Sequence, residues 1–304
     1  MKNLWLFCVI VVLCFGIAAM WSSESSAQPG KSEIVYTQRG EDGSEIRIMN
    51  ADGSGSRRLG PGSGPCWSPD GSKIAFTMTV DDNTDIYYMD SADGGNVTRL
   101  TTDPARDHGP TWSPDGSMIA FNSTRSGSDQ IWRSNVEEGA WGYNLTQLTQ
   151  DTHHNRVNNF ISWSPNGLWI AFEADRDRDD PEIYLANAVD GTNQQRLTYT
   201  RALDEVPAWS PDSKQIVFSS DMHGEPQSQV YDIYIMDVDG SNQKRLTVTP
   251  GAASEPSMSA DGKHIVYTSS SPEERSTQIW IMNADGSGQR LLLERGSSPR
   301  FSPF

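Results

Sequence analysis

Three histidines are the first candidates for chemistry in this 304-residue chain. Imidazole is a common ligand of transition metals, and His108, His153 and His154 would lie close together if neighbouring loops of the fold meet. Their spacing along the chain matches no short metal-binding motif. We therefore predict that the protein needs no cofactor, and we keep a divalent metal at these histidines as the alternative.

A second candidate is the stretch DRDRDDPE, in which Asp175, Asp177 and Asp179 alternate like the ligands of a calcium loop. The glycine and the closing glutamate of that loop pattern are missing here. Two arginines alternate with the carboxylates and would neutralise them. A solvated loop held by ion pairs is therefore the favoured interpretation, with a metal as the alternative.

Motifs of nucleophilic catalysis and phosphate binding are not found. The sequence holds no G-x-S-x-G, and its glycine-rich stretches do not follow a phosphate-binding pattern. We assign no catalytic residue, and a serine hydrolase is disfavoured.

The elements that would position such residues come from an internal repeat. The motif WSPDG, followed by an apolar triplet such as Ile119-Ala120-Phe121, recurs every 43 to 51 residues. Periods in this range are typical of propeller blades of four strands. The repeated position is occupied by Trp67, Trp112, Trp163, Trp209, Met258 and Phe301. We expect these side chains to fill the space between neighbouring blades.

The ends of the repeat array predict how the ring closes. The first copy begins with EIVYTQ, a second-strand sequence, whereas the C-terminal SSPRFSP is a first strand with nothing after it. Pairing the two ends gives an all-β, six-bladed β-propeller with four antiparallel strands (A to D) in each blade. SPDG and DGS supply short A–B and C–D turns.

Strands A to D alternate in direction, so the B–C and D–A loops must lie on the same face of the ring. We expect this face to be the binding surface. These loops are long and irregular, which is typical of binding surfaces. We predict that they dock a protein or polymer partner around the mouth of the central channel. The candidate residues are Asp107, His108, His153, His154, Arg156, Asn158, Asn159, Asp204, Glu205 and Glu255.

The N-terminal sequence predicts export. Lys2, a charge-free apolar run from Leu4 to Met20 and small residues at Ser25 and Ala27 indicate a signal peptide over residues 1–27, before a propeller over residues 28–304. An uncleaved anchor is the alternative, because 17 apolar residues approach the length of a membrane span. Cleavage would leave no membrane span and would place the protein in the periplasm or outside the cell.

The net charge limits the classes of partner, and the cysteine content limits disulfide bonding. The net charge is −16, and it stays so after cleavage, because Lys2 and Glu24 cancel. Such a charge disfavours nucleic acid. Cys66 alone remains in residues 28–304, so no intrachain disulfide is expected there. We expect a monomer.

The motif P-x-W-S-P-D-G-x-x-I-A-F, followed by D-I-Y-x-M and D-G-x-x-x-R-L-T, resembles the propeller repeat of the TolB family. The resemblance covers nearly all of residues 33–304 and implies a six-bladed propeller that works by protein contact, with an envelope or secreted partner such as a peptidoglycan-associated lipoprotein. TolB proper has an α/β domain before its propeller, whereas only Gln28 to Ser32 precede the first strand here. Some TolB-like propellers resemble pectic oligosaccharide lyases with a His-rich manganese site, which implies the alternative of a metal-dependent polysaccharide-active enzyme.

Overall fold

The computed structural model describes residues 32–136, 144–150, 158–176, 180–223, 230–248, 251–270 and 276–304. These residues form six antiparallel sheets of four strands each. None of them forms a helix that is long and apolar enough to cross a bilayer. The prediction of an all-β, six-bladed propeller is confirmed.

The first three blades are numbered in chain order, and their strands run from A to D. Blade 1 contains β24 (Ser297–Phe301), β1 (Glu33–Gly40), β2 (Gly43–Asn50) and β3 (Arg57–Pro61). Blade 2 contains β4 (Ser63–Trp67), β5 (Lys73–Val80), β6 (Asn83–Asp90) and β7 (Thr98–Arg99). Blade 3 contains β8 (Asp107–Trp112), β9 (Met118–Ser123), β10 (Gln130–Asn135) and β11 (Thr146–Gln147).

The other three blades follow the same order. Blade 4 contains β12 (Asn158–Trp163), β13 (Trp169–Ala174), β14 (Glu182–Asn187) and β15 (Gln195–Arg196). Blade 5 contains β16 (Asp204–Trp209), β17 (Gln215–Ser220), β18 (Asp232–Asp237) and β19 (Lys244–Arg245). Blade 6 contains β20 (Ala253–Met258), β21 (His264–Ser270), β22 (Thr277–Asn283) and β23 (Arg290–Leu293).

The C-terminal strand closes the ring as predicted. β24 pairs antiparallel with β1, with Phe301 opposite Ile34 and Arg300 opposite Val35. Ser302 N donates to Glu33 O at 2.8 Å, and Glu33 N donates to Ser302 Oγ at 3.0 Å. The A strands contact one another in sequence around the ring, and β24 contacts both β20 and β4. The A strands therefore surround the central channel.

The aromatic residue at the end of five of the six A strands packs between two blades, and Met258 packs at the sixth seam. Trp112 lies in one cluster with Ala75, Ile86 and Leu100 of blade 2 and with Phe121 of its own blade. Trp67, Trp163, Trp209 and Phe301 make the equivalent contacts at the other seams. All five are at most 9% exposed. These side chains are therefore part of the hydrophobic core, as predicted.

The A–B turns are built from one repeated hydrogen-bond network. In the first copy Ser68 Oγ donates to Asp70 Oδ1 at 2.6 Å and accepts from Lys73 N at 2.9 Å. Gly71, at φ +69°, closes the turn by donating to Ser68 O at 2.9 Å. The left-handed conformation explains the glycine at this position. The same network recurs from Ser113, Ser164, Ser210 and Ser259.

Candidate functional site

The two faces of the propeller differ in regularity. We call the face with the B–C and D–A connections the loop face and the face with the A–B and C–D connections the turn face. On the turn face the Ser–Asp network repeats from blade to blade. On the loop face the starts of the A strands surround the channel mouth, and the same strand position carries different side chains in different blades.

The structure places the predicted mouth residues as follows. Asp107 and His108 begin β8, Asp204 and Glu205 begin β16, and Glu255 lies within β20. Asn158 and Asn159 begin β12, where the structure describes the backbone only. His153, His154, Arg156, Asp177 and Asp179 lie outside the described residues. Five of the ten candidates can therefore be described with their side chains.

In blade 3 the two mouth residues have partners within the chain. Asp107 is fully buried, and its Oδ2 accepts from Arg125 Nη2 at 2.7 Å. The Arg125 guanidinium lies over the rings of Phe121 and Trp132, at 5.4 and 5.2 Å from their centroids. Stacking on aromatic faces and pairing with a carboxylate both favour arginine at this position.

His108 forms the second pair of blade 3. Its Nε2 lies 3.1 Å from Asp129 Oδ1. The hydrogen bond with His108 lowers the pKa of Asp129 below its usual range, against the opposing effect of burial. Each side chain of the pair is less than one-fifth exposed. Asp129 lies in the B–C connection of blade 3, and its carboxylate holds His108 at the channel mouth.

Blade 5 has a different arrangement at the same positions. Tyr231 Oη donates to Glu205 Oε1 at 3.0 Å, and Leu203 N donates to Asp221 Oδ1 at 2.8 Å. Burial raises the pKa of Glu205, and the charges of Asp221 and Asp204 raise it further against the hydrogen bond from Tyr231. Burial also raises the pKa of the Tyr231 hydroxyl, and the neighbouring Glu205 carboxylate adds to the effect. This part of the mouth is rich in carboxylates.

Asp204 is the buried carboxylate of this group. It is 0% exposed, and burial raises its pKa to about 6 despite hydrogen bonds from Ser220, Thr198 and Thr200. The strand register shows why it differs from Asp107. Asp107 is opposite Ser123 and Asp204 is opposite Ser220, so Met222 occupies in blade 5 the position of Arg125 in blade 3. In the part of the chain that the structure describes, Asp204 therefore has no counterpart of the Arg125 cation that accompanies Asp107.

Glu182, at the end of blade 4 that faces Asp204, is the second carboxylate with a strongly raised pKa. Arg196 Nη2 donates to its Oε1. Burial nevertheless raises the pKa of Glu182 to about 7, and the charge of Asp204 contributes to the rise. The two carboxylates thus disfavour each other's ionisation.

The arginines of the repeated R-L dipeptide pair with buried acids of strand C. Arg99 Nη2 donates to Asp85 Oδ2 at 2.5 Å, and Arg245 Nη2 donates to Asp232 Oδ2. Thr247 Oγ1 donates to Asp232 Oδ1 at 2.8 Å. Because the pairs repeat at one position of blades 2, 4 and 5, they hold strands C and D together and do not mark a ligand site.

Glu255 joins two blades. Its Oε2 accepts from Thr268 Oγ1 at 2.6 Å and from Ser298 N at 2.7 Å, and its Oε1 accepts from Ser298 Oγ at 2.8 Å. Ser298 belongs to β24, so these bonds tie blade 6 to the closing strand. Both oxygens of this predicted mouth residue are engaged within the protein.

Each A strand also contains a left-handed residue that sequence analysis missed. The six residues stand three positions before the repeated aromatic or Met: Gly64, Gly109, Phe160, Val206, Glu255 and Ser298, with φ between 48° and 62°. Four of the six carry a side chain, for which this conformation is strained. The N–H of Gly64, Gly109 and Ser298 donates across the seam to a threonine of the preceding blade. The sequence signal that could have indicated this left-handed conformation is the glycine before proline in two copies, at Gly64 and Gly109.

Exposed apolar side chains on the loop face were also missed. Tyr199 is 72% and Val248 is 76% exposed, and both follow the R-L-T tripeptide in the D–A connections of blades 4 and 5. The Arg196 guanidinium lies 4.9 Å from the centroid of the Tyr199 ring. Both side chains closely follow strand D, which lies at the edge of its sheet opposite strand A.

The described residues do not contain a group of three or more His, Cys, Asp or Glu side chains that could hold a metal ion. Asp175 is among the described residues and is partly buried at the end of strand B of blade 4. The other acids of the predicted calcium loop, Asp177 and Asp179, are not among them.

A six-bladed propeller with this repeat defines a class of ring-shaped proteins. The chain matches the TolB beta propeller domain family over residues 26–156 and 145–303, and it belongs to that family. It is 26% identical to the uncharacterized protein Atu1656 of Agrobacterium fabrum over 67% of this chain and 71% of that protein.

Matches to TolB proteins are of two kinds. A segment of 44 residues is 52% identical to the Tol-Pal system protein TolB of Anaeromyxobacter dehalogenans, covering 14% of this chain and 10% of that protein. The chain therefore spans about a tenth of that curated relative. The crystal structure of TolB from Acinetobacter baumannii has a similar fold, with a TM-score of 0.74 and 23% identity over 91% of this chain and 68% of that one.

The fold is also similar to that of an oligogalacturonate lyase solved in complex with manganese. The TM-score is 0.54 and the identity is 16%, over 86% of this chain and 73% of the lyase. At this identity the likeness shows a common fold only.

Proposed function

We propose that this protein is an interaction module that works outside the cytoplasm and docks a protein or polymer partner on its loop face. Export rests on the signal-peptide pattern of residues 1–27. The segment shared with Tol-Pal system proteins favours an envelope protein as partner, with a peptidoglycan-associated lipoprotein as one candidate. Fold alone does not name a partner.

The observation that carries the proposal is the contrast between the two faces. The turn face repeats one hydrogen-bonded turn in five copies. On the loop face, blade 3 holds the His108–Asp129 pair where blade 5 holds Glu205–Tyr231. Repeated features maintain the fold, whereas a partner contacts one side of the ring and selects different residues in each blade.

Blades 4 and 5 are the proposed centre of the docking surface. Their D–A connections expose Tyr199 and Val248 on the loop face, and the Arg196 guanidinium lies against the Tyr199 ring. An exposed aromatic or aliphatic side chain next to charged groups is typical of a contact surface between proteins. Asp107 and Asp204 are buried, so a partner would meet His108 and Glu205 instead of them.

The proposal is tested by capture of envelope proteins on the immobilised protein. We expect Tyr199→Ser and Val248→Ser each to reduce recovery of the captured partner by about tenfold, the loss expected for one contact residue of moderate importance. Leu168→Ser is the matched control, because Leu168 is 60% exposed on the turn face. Loss of capture with Leu168→Ser alone would place the interaction on the turn face and contradict the proposal.

The proposed interaction does not depend on a metal ion. Metal analysis of the purified protein checks this separately from capture. Stoichiometric manganese or zinc that disappears on His153→Ala or His154→Ala would favour the polysaccharide-active enzyme in its place.

A further inference from the structure

A polar trough lies on the loop face where blade 6 meets blade 1, on the closing seam of the ring. Its volume is about 930 Å³. Three segments form it: the end of β1 with the following turn, the start of β22, and the D–A connection that leads into β24. The lining residues are Thr37, Arg39, Gly40, Ser44, Ser276, Thr277, Glu294, Arg295, Gly296 and Ser297.

The trough contains two arginines that the fold does not use. Arg39 and Arg295 are both exposed, and neither has an ion-pair partner in the part of the chain that the structure describes. Other arginines of the protein are used by the fold. Arg99 and Arg125, for example, each pair with a buried carboxylate. A chain with 40 acidic and 24 basic residues has many carboxylates available for pairing. Arg39 and Arg295 therefore remain available to a ligand.

The rest of the lining suits an anionic, hydrogen-bonding ligand. Among the lining residues that the structure describes, Glu294 is the one carboxylate, and two guanidinium groups outnumber it. The hydroxyl groups of the trough belong to Thr37, Ser44, Ser276, Thr277 and Ser297. Guanidinium groups bind carboxylates through paired N–H donors, and hydroxyls can both donate to carbonyl oxygens and accept from backbone N–H groups.

We infer that this trough binds an acidic peptide segment of the partner, with Arg39 and Arg295 each engaging a carboxylate. The two arginines lie on different segments of the chain, and an extended acidic peptide can present a separate carboxylate to each of them. A volume of about 930 Å³ also accommodates several residues of an extended chain, whereas a single small anion would leave most of it filled by water. The inference deepens the proposed function and rests on it, because the trough is part of the same loop face.

The test is a titration of the purified protein with a fluorescent, N-acetylated tetraglutamate peptide, followed by fluorescence anisotropy. We expect saturable binding that weakens about tenfold with Arg39→Gln and with Arg295→Gln, as when one charge-assisted pair is lost. Glu294→Gln should strengthen binding, because it removes the one opposing carboxylate. Arg201→Gln, another exposed arginine of the loop face, is the matched control and should leave binding unchanged.

Two results would overturn the inference. One is the absence of saturable peptide binding by the unaltered protein. The other is peptide binding that Arg39→Gln and Arg295→Gln leave unchanged. All four substitutions change exposed side chains, so an unchanged melting temperature confirms that the variants are folded. The titration needs no envelope extract, so its failure can be told apart from loss of capture at Tyr199 and Val248.

Discussion

Asp204 shows what happens when a repeated buried carboxylate loses its cation. Its folded-state pKa of about 6 lies above the ordinary value of 3.8. Between these values the folded protein binds a proton that the unfolded chain has released. The contribution of Asp204 to the free energy of unfolding therefore falls as the pH rises through this window, and it is at its least favourable above pH 6. Glu182, with a pKa of about 7, extends the same trend to higher pH.

Met222→Arg tests this explanation. A guanidinium at this position should pair with Asp204 as Arg125 pairs with Asp107. The pKa of Asp204 should then fall, and the free energy of unfolding at pH 8 should rise by about 1–2 kcal/mol, part of what a shift of about two pKa units represents. At pH 5, where Asp204 of the unaltered protein is mostly protonated, the gain should be smaller. Urea denaturation at the two pH values measures both quantities.

The matched control is the reverse substitution in blade 3. Arg125→Met leaves Asp107 buried without its cation, and we expect it to destabilise the protein at pH 8 by about 3–5 kcal/mol. An equal gain from Met222→Arg at pH 5 and pH 8 would contradict the assignment of Asp204 as the titrating group.

Sequence analysis identified part of this residue-level chemistry. It selected Asp107, His108, Asp204 and Glu205 as mouth residues from their position after strand D, and they lie at the starts of β8 and β16. It did not show that the two aspartates are buried. Burial depends on which face of a strand turns toward the neighbouring blade, and the left-handed residue in the strand changes that alternation.

At the scale of the strands, the seams between blades supply most of the core. Trp112→Ala removes a large buried side chain of the seam between blades 2 and 3, where it clusters with Ile86 and Leu100. We expect a loss of about 3–5 kcal/mol in the free energy of unfolding, as for other buried aromatic truncations. Chemical denaturation measures it. Leu168→Ala, at a 60% exposed position, should change stability by less than about 0.5 kcal/mol. Equal losses for the two variants would show that Trp112 is not a core residue.

The strands were the most predictable part of the fold, because the turns between them carry strong local signals. Apolar triplets such as Ile119-Ala120-Phe121 form strand B, and SPDG forms the A–B turn. The D strands were less predictable in length: β7, β11, β15 and β19 contain two residues each. Their R-L-T or Q-L-T sequence continues into the D–A connection, and only pairing with strand C decides where the strand ends.

At the scale of the whole molecule, a repeated scaffold carries an irregular surface. The seams, the A–B turns and the pairs between strands C and D follow the repeat, so they were accessible from one sequence. The trough of Arg39 and Arg295 and the carboxylates near Glu205 are each formed by segments distant in sequence. Which of these segments meet depends on the closure of the ring and on the connection of each blade to the next.

Ring closure itself can be tested by deleting residues 297–304. The deletion removes β24, exposes the edge of β1 and uncovers the cluster in which Phe301 packs against Ile34 and Val266. We expect the free energy of unfolding to fall by more than about 3 kcal/mol, the lower limit for truncating one buried Phe. Open strand edges pair with other chains, so light scattering should also detect oligomers. Phe304→Ser, at a 49% exposed position, is the control and should stay monomeric. A truncated protein that stays monomeric and melts at the original temperature would show that β24 does not hold the ring closed, and the trough beside it would then lose its structural basis.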